Sequence, residues 1–302
     1  YRPTLWLMLM TLPALALGQP GDLRGARPQV RDGGLYWQGR PVYLVGVWVG
    51  STVSTDPRLY KPDIDGDHPA YAHLLSADTA PSLGINSAHP PMSPLPVSRA
   101  LGWIPEGNTD GPRYEMLQSF VRGLGGLPVT VDCAGISHFS GDKVPASLKQ
   151  VSSGWHGFVP LCPDTPEGLG VYEAYWRDCA RQIVEAGSNA IIYELFNEPA
   201  YNCRCDANKS LFSHRMAARY GTIAAANAVW HTSFPDFGSV AHMPSPEQTP
   251  GLWCDWCNFL GDRYVEVLQA GKAAISGTDR RPLLFTDQPS IGTTYLRCNG
   301  ID

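Results

Sequence analysis

The sequence predicts an α/β fold built on a parallel sheet, closed into a barrel or doubly wound, and entered through a short hairpin. Three observations predict it. Short apolar strands alternate with longer amphipathic segments, the order that lays helices over a parallel sheet. The run Ala190-Ile191-Ile192 leads through Tyr193-Glu194-Leu195-Phe196 to Asn197-Glu198-Pro199, so a buried parallel strand ends abruptly in polar residues. At 302 residues and 43% hydrophobic content, the chain can bury the core of one barrel-sized domain.

At the N-terminus, Arg2 precedes the apolar run Leu5 to Leu17, and Ala16-Leu17-Gly18 offers small residues at the spacing signal peptidase reads. Residues 1–18 are therefore expected to be a signal peptide, placing the mature chain in a secreted or periplasmic location. A retained membrane anchor is the alternative, although Gln19-Pro20-Gly21-Asp22 follows too soon for a comfortable span. No other segment approaches transmembrane length, so no membrane partner is expected once the signal is removed.

Residues 19–302 are expected to form the barrel-like domain. Asp32-Gly33-Gly34 and Gln38-Gly39-Arg40-Pro41 are turn signals, giving a hairpin over residues 29–45. Strand one then runs from Pro41 to Val49, and a helical stretch at 69–80 leads to strand two, Ser82 to His89. A helix from Tyr114 to Gly123 precedes strand three, Leu127 to Cys133, and a Gly-, Ser- and Pro-rich loop spans Gly135 to Gly168. Glu173 to Ala186 places Tyr175, Cys179, Gln182, Ile183 and Ala186 near one helical face and feeds strand four, Asn189 to Phe196. Leu211 to Trp230 reads as one helix or two, Asp255 to Ile275 as another, and Arg281 to Asp287 as strand five. Five strands use most of the sequence, so a barrel truncated after its fifth unit is expected, with strands six to eight beyond residue 302.

The formal net charge of −5 and pI near 5.9 argue against a nucleic-acid or anionic-membrane partner. Eight cysteines suit an exported chain with structural disulfides, or else unpaired buried thiols. Cys203-Arg204-Cys205 and Cys254-Asp255-Trp256-Cys257 invite a zinc reading, but neither has a histidine partner at finger spacing, so no metal is assigned. Nothing around the C-x-x-C is thioredoxin-like.

Gly46-Val47-Trp48-Val49, Pro128-Val129-Thr130-Val131-Asp132 and Glu194-Leu195-Phe196-Asn197-Glu198-Pro199 together resemble the clan of (β/α)8-barrel (TIM-barrel) retaining glycoside hydrolases. The segment from Tyr220 to Phe237, containing Tyr-Gly-Thr-Ile-Ala-Ala-Ala-Asn-Ala-Val-Trp-His-Thr-Ser-Phe, is similar to the family 42 β-galactosidases. Asn197-Glu198-Pro199 itself is closer to the family 5 cellulases and mannanases. The resemblance runs from about residue 30 to the end, and its specific part is the strand-four motif.

It implies that Glu198 is the general acid/base and that Asn197 holds the sugar's 2-hydroxyl. The chemistry suits both residues. A general acid needs a raised pKa, for which Phe196, Pro199 and Tyr201 offer an apolar setting, and an amide can both donate to and accept from a hydroxyl. The activity implied is retaining hydrolysis of β-linked glycosides or polysaccharides, with carbohydrate as the partner and no cofactor. An ordinary strand end, with Asn-Glu-Pro as turn residues, is the bland alternative.

Retention requires a second carboxylate about 5 Å from the first. Glu194 shares the strand and, by alternation, the side of Glu198, but lies about 13 Å deeper at roughly 3.3 Å per residue. It is better read as a polar residue within the barrel, paired with an arginine. In the resembled clan the nucleophile ends strand seven, so it is expected beyond residue 302. Asp287, ending strand five about 4.8 Å from its neighbour, is assigned to substrate contact rather than nucleophilic attack. Asp132 is read as structural or sugar-touching. Trp48, His89 and His138 fall at strand ends where substrate contacts cluster, Trp48 and His138 are assigned to substrate, and each of the three rings has a packing role as an equal alternative. Trp155-His156 could form a sugar platform or anchor its loop, and Asn208-Lys209-Ser210 fits a glycosylation pattern. The rival functional readings are a noncatalytic carbohydrate-binding barrel and a nonfunctional fragment with exposed sheet edges.

Overall fold

The computed structural model describes residues 23–32, 34–48, 79–90, 92, 95–103, 124, 126–133, 144–151, 159–240 and 245–288. The expected signal peptide, the helices at 69–80 (but for its end) and Tyr114 to Gly123, and most of the loop between Gly135 and Val159 fall outside those residues.

The chain opens with a three-stranded antiparallel meander, β1 (Gln29–Arg31), β2 (Gly34–Trp37) and β3 (Arg40–Pro41). Its turn at Gln38-Gly39 takes positive φ at both residues, 51° and 75°, the left-handed pair that closes a two-residue hairpin. A five-stranded sheet follows: β4 (Gly46–Trp48), β5 (Ser87–His89), β6 (Pro128–Asp132), β7 (Asn189–Asn197) and β8 (Leu284–Gln288). The strands pair in sequence order and all parallel. Among the described residues the sheet is open, so the structure is part of an α/β barrel rather than a closed one.

Six helices accompany this sheet among the described residues: α1 (Thr79–Ser82), α2 (Leu95–Ala100), α3 (Pro166–Glu185), α4 (Asp206–Tyr220), α5 (Ile223–Trp230) and α6 (Pro250–Thr278). Two expectations are corrected. Strand one is only Gly46–Trp48, because Arg40–Pro41 belongs to the meander and Tyr43 is 70% exposed between the two sheets. Strand two starts at Ser87, since Ser82 still ends a helix. Of the two readings of Leu211 to Trp230, the structure has two helices, the first starting earlier at Asp206, with the break where Gly221 takes φ 74° and Thr222 caps the second by accepting from the Ala225 amide at 3.2 Å.

The core lies between β7 and the helix pair α3–α6. Trp176 and Tyr172 of α3 meet Phe196 edge-on at 5.6 and 5.7 Å, and Tyr264 of α6 lies 5.8 Å from the same ring. All but Tyr264 are fully enclosed, and each such ring contributes on the order of 2–3 kcal/mol by burial. Gly271 lets α6 approach, because a Cβ there would stand 3.1 Å from Leu195 Cδ1 and 3.2 Å from the Trp176 ring. The start of α3 is equally tight. Thr165 caps it through the Gly168 amide at 3.1 Å, and a Cβ on Gly168 would fall 2.1 Å from the Cys162 carbonyl oxygen.

The lower end of the sheet is closed by the segment carrying Leu23 and Ala26, both buried. Asn189, the first residue of β7, donates to the Ala26 and Gly126 carbonyls at 2.9 and 3.0 Å and accepts from Arg27 at 3.1 Å. Beside it, Arg281 grips the buried Asp279 carboxylate through two bonds of 2.7 and 2.6 Å, and Tyr193 Oη adds a third at 3.1 Å. This end is a structural floor, leaving the opposite strand ends for chemistry.

Candidate active site

β7 carries the site, and its last turns are irregular. Glu194 pairs with Thr286 and Asn197 with Gln288, three steps on one strand against two on the other. Such a bulge bends a strand and re-aims its side chains. Here Tyr193, Leu195 and Phe196 are all buried, with Leu195 and Phe196 adjacent on the helix side, so alternation fails between Glu194 and Asn197. Counting parity from Glu194 to Glu198 therefore does not place the two carboxylates on one side.

Asn197 and Glu198 are both half-buried at the strand end. Glu198 has φ 44°, in the left-handed region that a side chain with a Cβ seldom occupies. That conformation costs roughly 1–2 kcal/mol, so the surroundings hold the residue in place. Pro199 fixes the next φ, and the chain then dives inward at Ala200 and Tyr201, both fully buried.

The clamp on this turn is polar and was missed by sequence reasoning. Asp164, at the entrance to α3 and with no exposed side chain, accepts from Tyr201 Oη at 2.5 Å, Asn208 Nδ2 at 2.8 Å and Arg263 Nε at 3.0 Å. Burial together with the Asp164 charge holds the Tyr201 phenol well above its ordinary pKa, so it stays a donor. Gln150 reaches across to the Asn202 amide, which donates to its Oε1 at 3.3 Å, and Arg204 N donates to the Val151 carbonyl at 2.7 Å. Asp164-Thr165-Pro166 reads in sequence only as a helix-start signal, and the partners of Asp164 lie 37 to 99 residues away. Asn208 is fully buried in this cluster, so the glycosylation reading is corrected: its amide nitrogen is spent on Asp164 and Tyr201.

Glu194 lies deeper than Asn197, with a side chain 7% exposed. Its partner is His89 at the end of β5, with Nε2 3.1 Å from Oε2, rather than the expected arginine. Asp132 ends β6, buried, opposite Glu194 in register. Trp48 ends β4 as the register partner of His89, and Asp287 lies on β8 between Thr286 and Gln288. The side chains of Trp48 and Asp287, and the whole of His138, Trp155 and His156, lie outside the described residues.

Of the two readings of the cysteines, disulfides or unpaired thiols, the described residues show the second: Cys133, Cys162, Cys179, Cys203, Cys205, Cys254 and Cys257 are free, and Cys298 lies outside them. Cys162, Cys203 and Cys205 converge beneath the Glu198 turn, with their Sγ atoms within 4.8 Å of one another and Cys162–Cys205 at 3.3 Å. Cys205 is the N-cap of α4, accepting from the Asn208 amide at 3.4 Å. Hydrogen bonds from Cys162 and Cys203, then the helix amides, pull its thiol down to about 2, while Cys162 is pushed up. Three sulfurs this close could hold a soft cation such as zinc. Spacing concealed the group, since Cys162 stands 41 residues before Cys203.

No protein-family model matches the chain, and no curated protein matches it. Solved structures do. An exo-carrageenase of family GH42 from Bacteroides ovatus is 19% identical over 91% of this chain and 35% of its own, with a TM-score of 0.57. A GH42 β-galactosidase catalytic mutant from G. stearothermophilus is 17% identical over 80% and 35%, at 0.56. A β-galactosidase from Bacillus circulans sp. alkalophilus is 15% identical over 81% and 36%, at 0.55. The chain thus spans about a third of the length of these relatives. At such identities the likeness is one of fold, and the fold is a partial α/β barrel of the kind found in these glycosidases.

Proposed function

We propose that this chain is a retaining glycoside hydrolase acting on β-linked glycosides or polysaccharides, with Glu198 as general acid/base and Asn197 gripping a substrate hydroxyl. One observation carries the reading: Asn197-Glu198 stands at the C-terminal end of a parallel strand, with Glu198 held at φ 44°. Strand ends are where barrels keep their chemistry, and strained backbone at such a place is a marker of function. That the similar structures are β-galactosidases and an exo-carrageenase supports a carbohydrate as the ligand. The proposal assigns the nucleophile to a carboxylate outside the five described strands, about 5 Å from Glu198 when the site is complete. Trp48, His138 and Asp287 remain assigned to substrate contact, and residues 1–18 to export into a secreted or periplasmic location.

A second reading is a noncatalytic carbohydrate-binding barrel. Besides Glu198, the described strands bring Asp132, Glu194 and Asp287 towards this end, and the first two are drawn together with His89.

Hydrolysis of aryl β-galactosides, β-glucosides and β-mannosides by the wild type and Glu198→Gln separates the two. The hydrolase should lose roughly 10²–10⁴-fold in turnover while its sugar affinity holds, and its first product should keep the β configuration by NMR. Absence of turnover, with equal sugar binding by both proteins, would replace the hydrolase by the binder.

A further inference from the structure

We propose that His89, Asp132 and Glu194 form a divalent-cation site inside the sheet, separate from Glu198 and independent of the hydrolase reading. Three neighbouring strands supply one ligand each: His89 ends β5, Asp132 ends β6, and Glu194 lies on β7 opposite Asp132. One imidazole nitrogen and one oxygen from each carboxylate lie within 4.8 Å of one another. Donors on a single ion about 2.1 Å away stand roughly 3–4 Å apart, so small side-chain rotations suffice to close the set.

The orphan ring nitrogen of His89 points to a ligand. His89 Nε2 is buried and makes no hydrogen bond, although Glu194 Oε2 is only 3.1 Å away. The pair is close but misaligned, as expected of two lone pairs aimed at a third point. Glu194 itself is 93% buried by side chain, and the His89 nitrogen is its one described side-chain partner. Two buried carboxylates this near each other repel, and a divalent cation between them would offset that repulsion.

One nitrogen and two oxygens suit zinc or manganese and do not demand a soft metal. His89 is 24% exposed by side chain, so water can complete the shell from that side. Bound there, the ion would tie β5, β6 and β7 together just below the strand ends.

The test uses the full chain and Mn²⁺, which the thiol group of Cys162, Cys203 and Cys205 disfavours. Loss of the free Mn²⁺ paramagnetic resonance signal should show one ion per chain in the wild type and in Cys203→Ser. Affinity should fall about tenfold or more in Glu194→Gln and Asp132→Asn, with circular dichroism reporting that each variant folds. Pulsed resonance on the wild type should detect an imidazole nitrogen on the ion, a readout that requires no variant. A folded wild type that takes up no Mn²⁺, uptake that survives Glu194→Gln, or bound Mn²⁺ with no imidazole nitrogen would each overturn the proposal.

Discussion

Tyr201 Oη donates to Asp164 Oδ2 at 2.5 Å, joining the turn after Glu198 to the entrance of α3. Asp164 also neutralises Arg263, which is only 13% exposed by side chain. Its removal would leave a buried guanidinium with one remaining carboxylate partner, Glu266. Asp164→Ala is therefore expected to cost about 3–5 kcal/mol, the range for breaking a buried pair from one side. Tyr201→Phe removes one of three donors and should cost about 1 kcal/mol. Chemical denaturation of both variants checks the ratio; equal losses would mean that Asp164 acts through Tyr201 alone.

Glu198 provides a sharper test, because its backbone works against its identity. A residue at φ 44° is better served by asparagine, whose short side chain tolerates the left-handed region. Glu198→Asn should raise stability by about 0.5–1 kcal/mol while abolishing turnover. Thermal melts beside the aryl-glycoside assay measure both quantities. A stability loss of similar size would show that the glutamate side chain makes contacts that outweigh its strain.

Asp279 makes the floor of the sheet sensitive to acid. Burial raises its pKa, but the hydrogen bonds and charge of Arg281, with Tyr193 behind them, more than reverse this and leave it below the ordinary value. A carboxylate depressed in the folded state stabilises fully above its unfolded pKa, about pH 4, and that contribution disappears as pH falls through the lower folded value. Urea midpoints from about pH 5 to about pH 2 should drop for the wild type and drop less steeply for Asp279→Asn. Parallel curves would remove Asp279 from the account of acid unfolding.

Legibility in the sequence followed the range of the interactions. β7 was readable to within a residue because the apolar run Ala190-Ile191-Ile192, its first two residues buried, needs no partner to look like a strand. The break at Gly221-Thr222 was half-legible, since a glycine stop and a threonine cap are local devices. Tyr43, Leu44 and Val45 misled because an apolar run also suits the exposed link between two sheets. The bulge after Glu194 left no local mark, as no glycine or proline accompanies it. The pairing of Glu194 with His89 joins residues on separate strands, and only the folded sheet brings them together. Asn197-Glu198 could be picked out as a candidate site, whereas the groups that hold it in place could not.

The thiols beneath that turn give the last prediction. Cys162, Cys203 and Cys205 come from two segments that meet only on folding, Cys162 just before α3 and the other two between Glu198 and α4. A soft cation held by all three would cross-link those segments, and its binding energy would add to folding because the unfolded chain offers no such group. Zinc should bind with one equivalent per chain and raise the melting temperature, and Cd²⁺ should produce thiolate charge-transfer absorption. Chelation should lower the melting temperature and, under the hydrolase reading, slow turnover by loosening the Glu198 turn. Cys205→Ser should abolish both the absorption and the zinc stabilisation while leaving Mn²⁺ uptake at His89 intact. If Cys205→Ser keeps full zinc stabilisation, the three sulfurs are packed thiols and the turn is held by Asp164 and Gln150 without them.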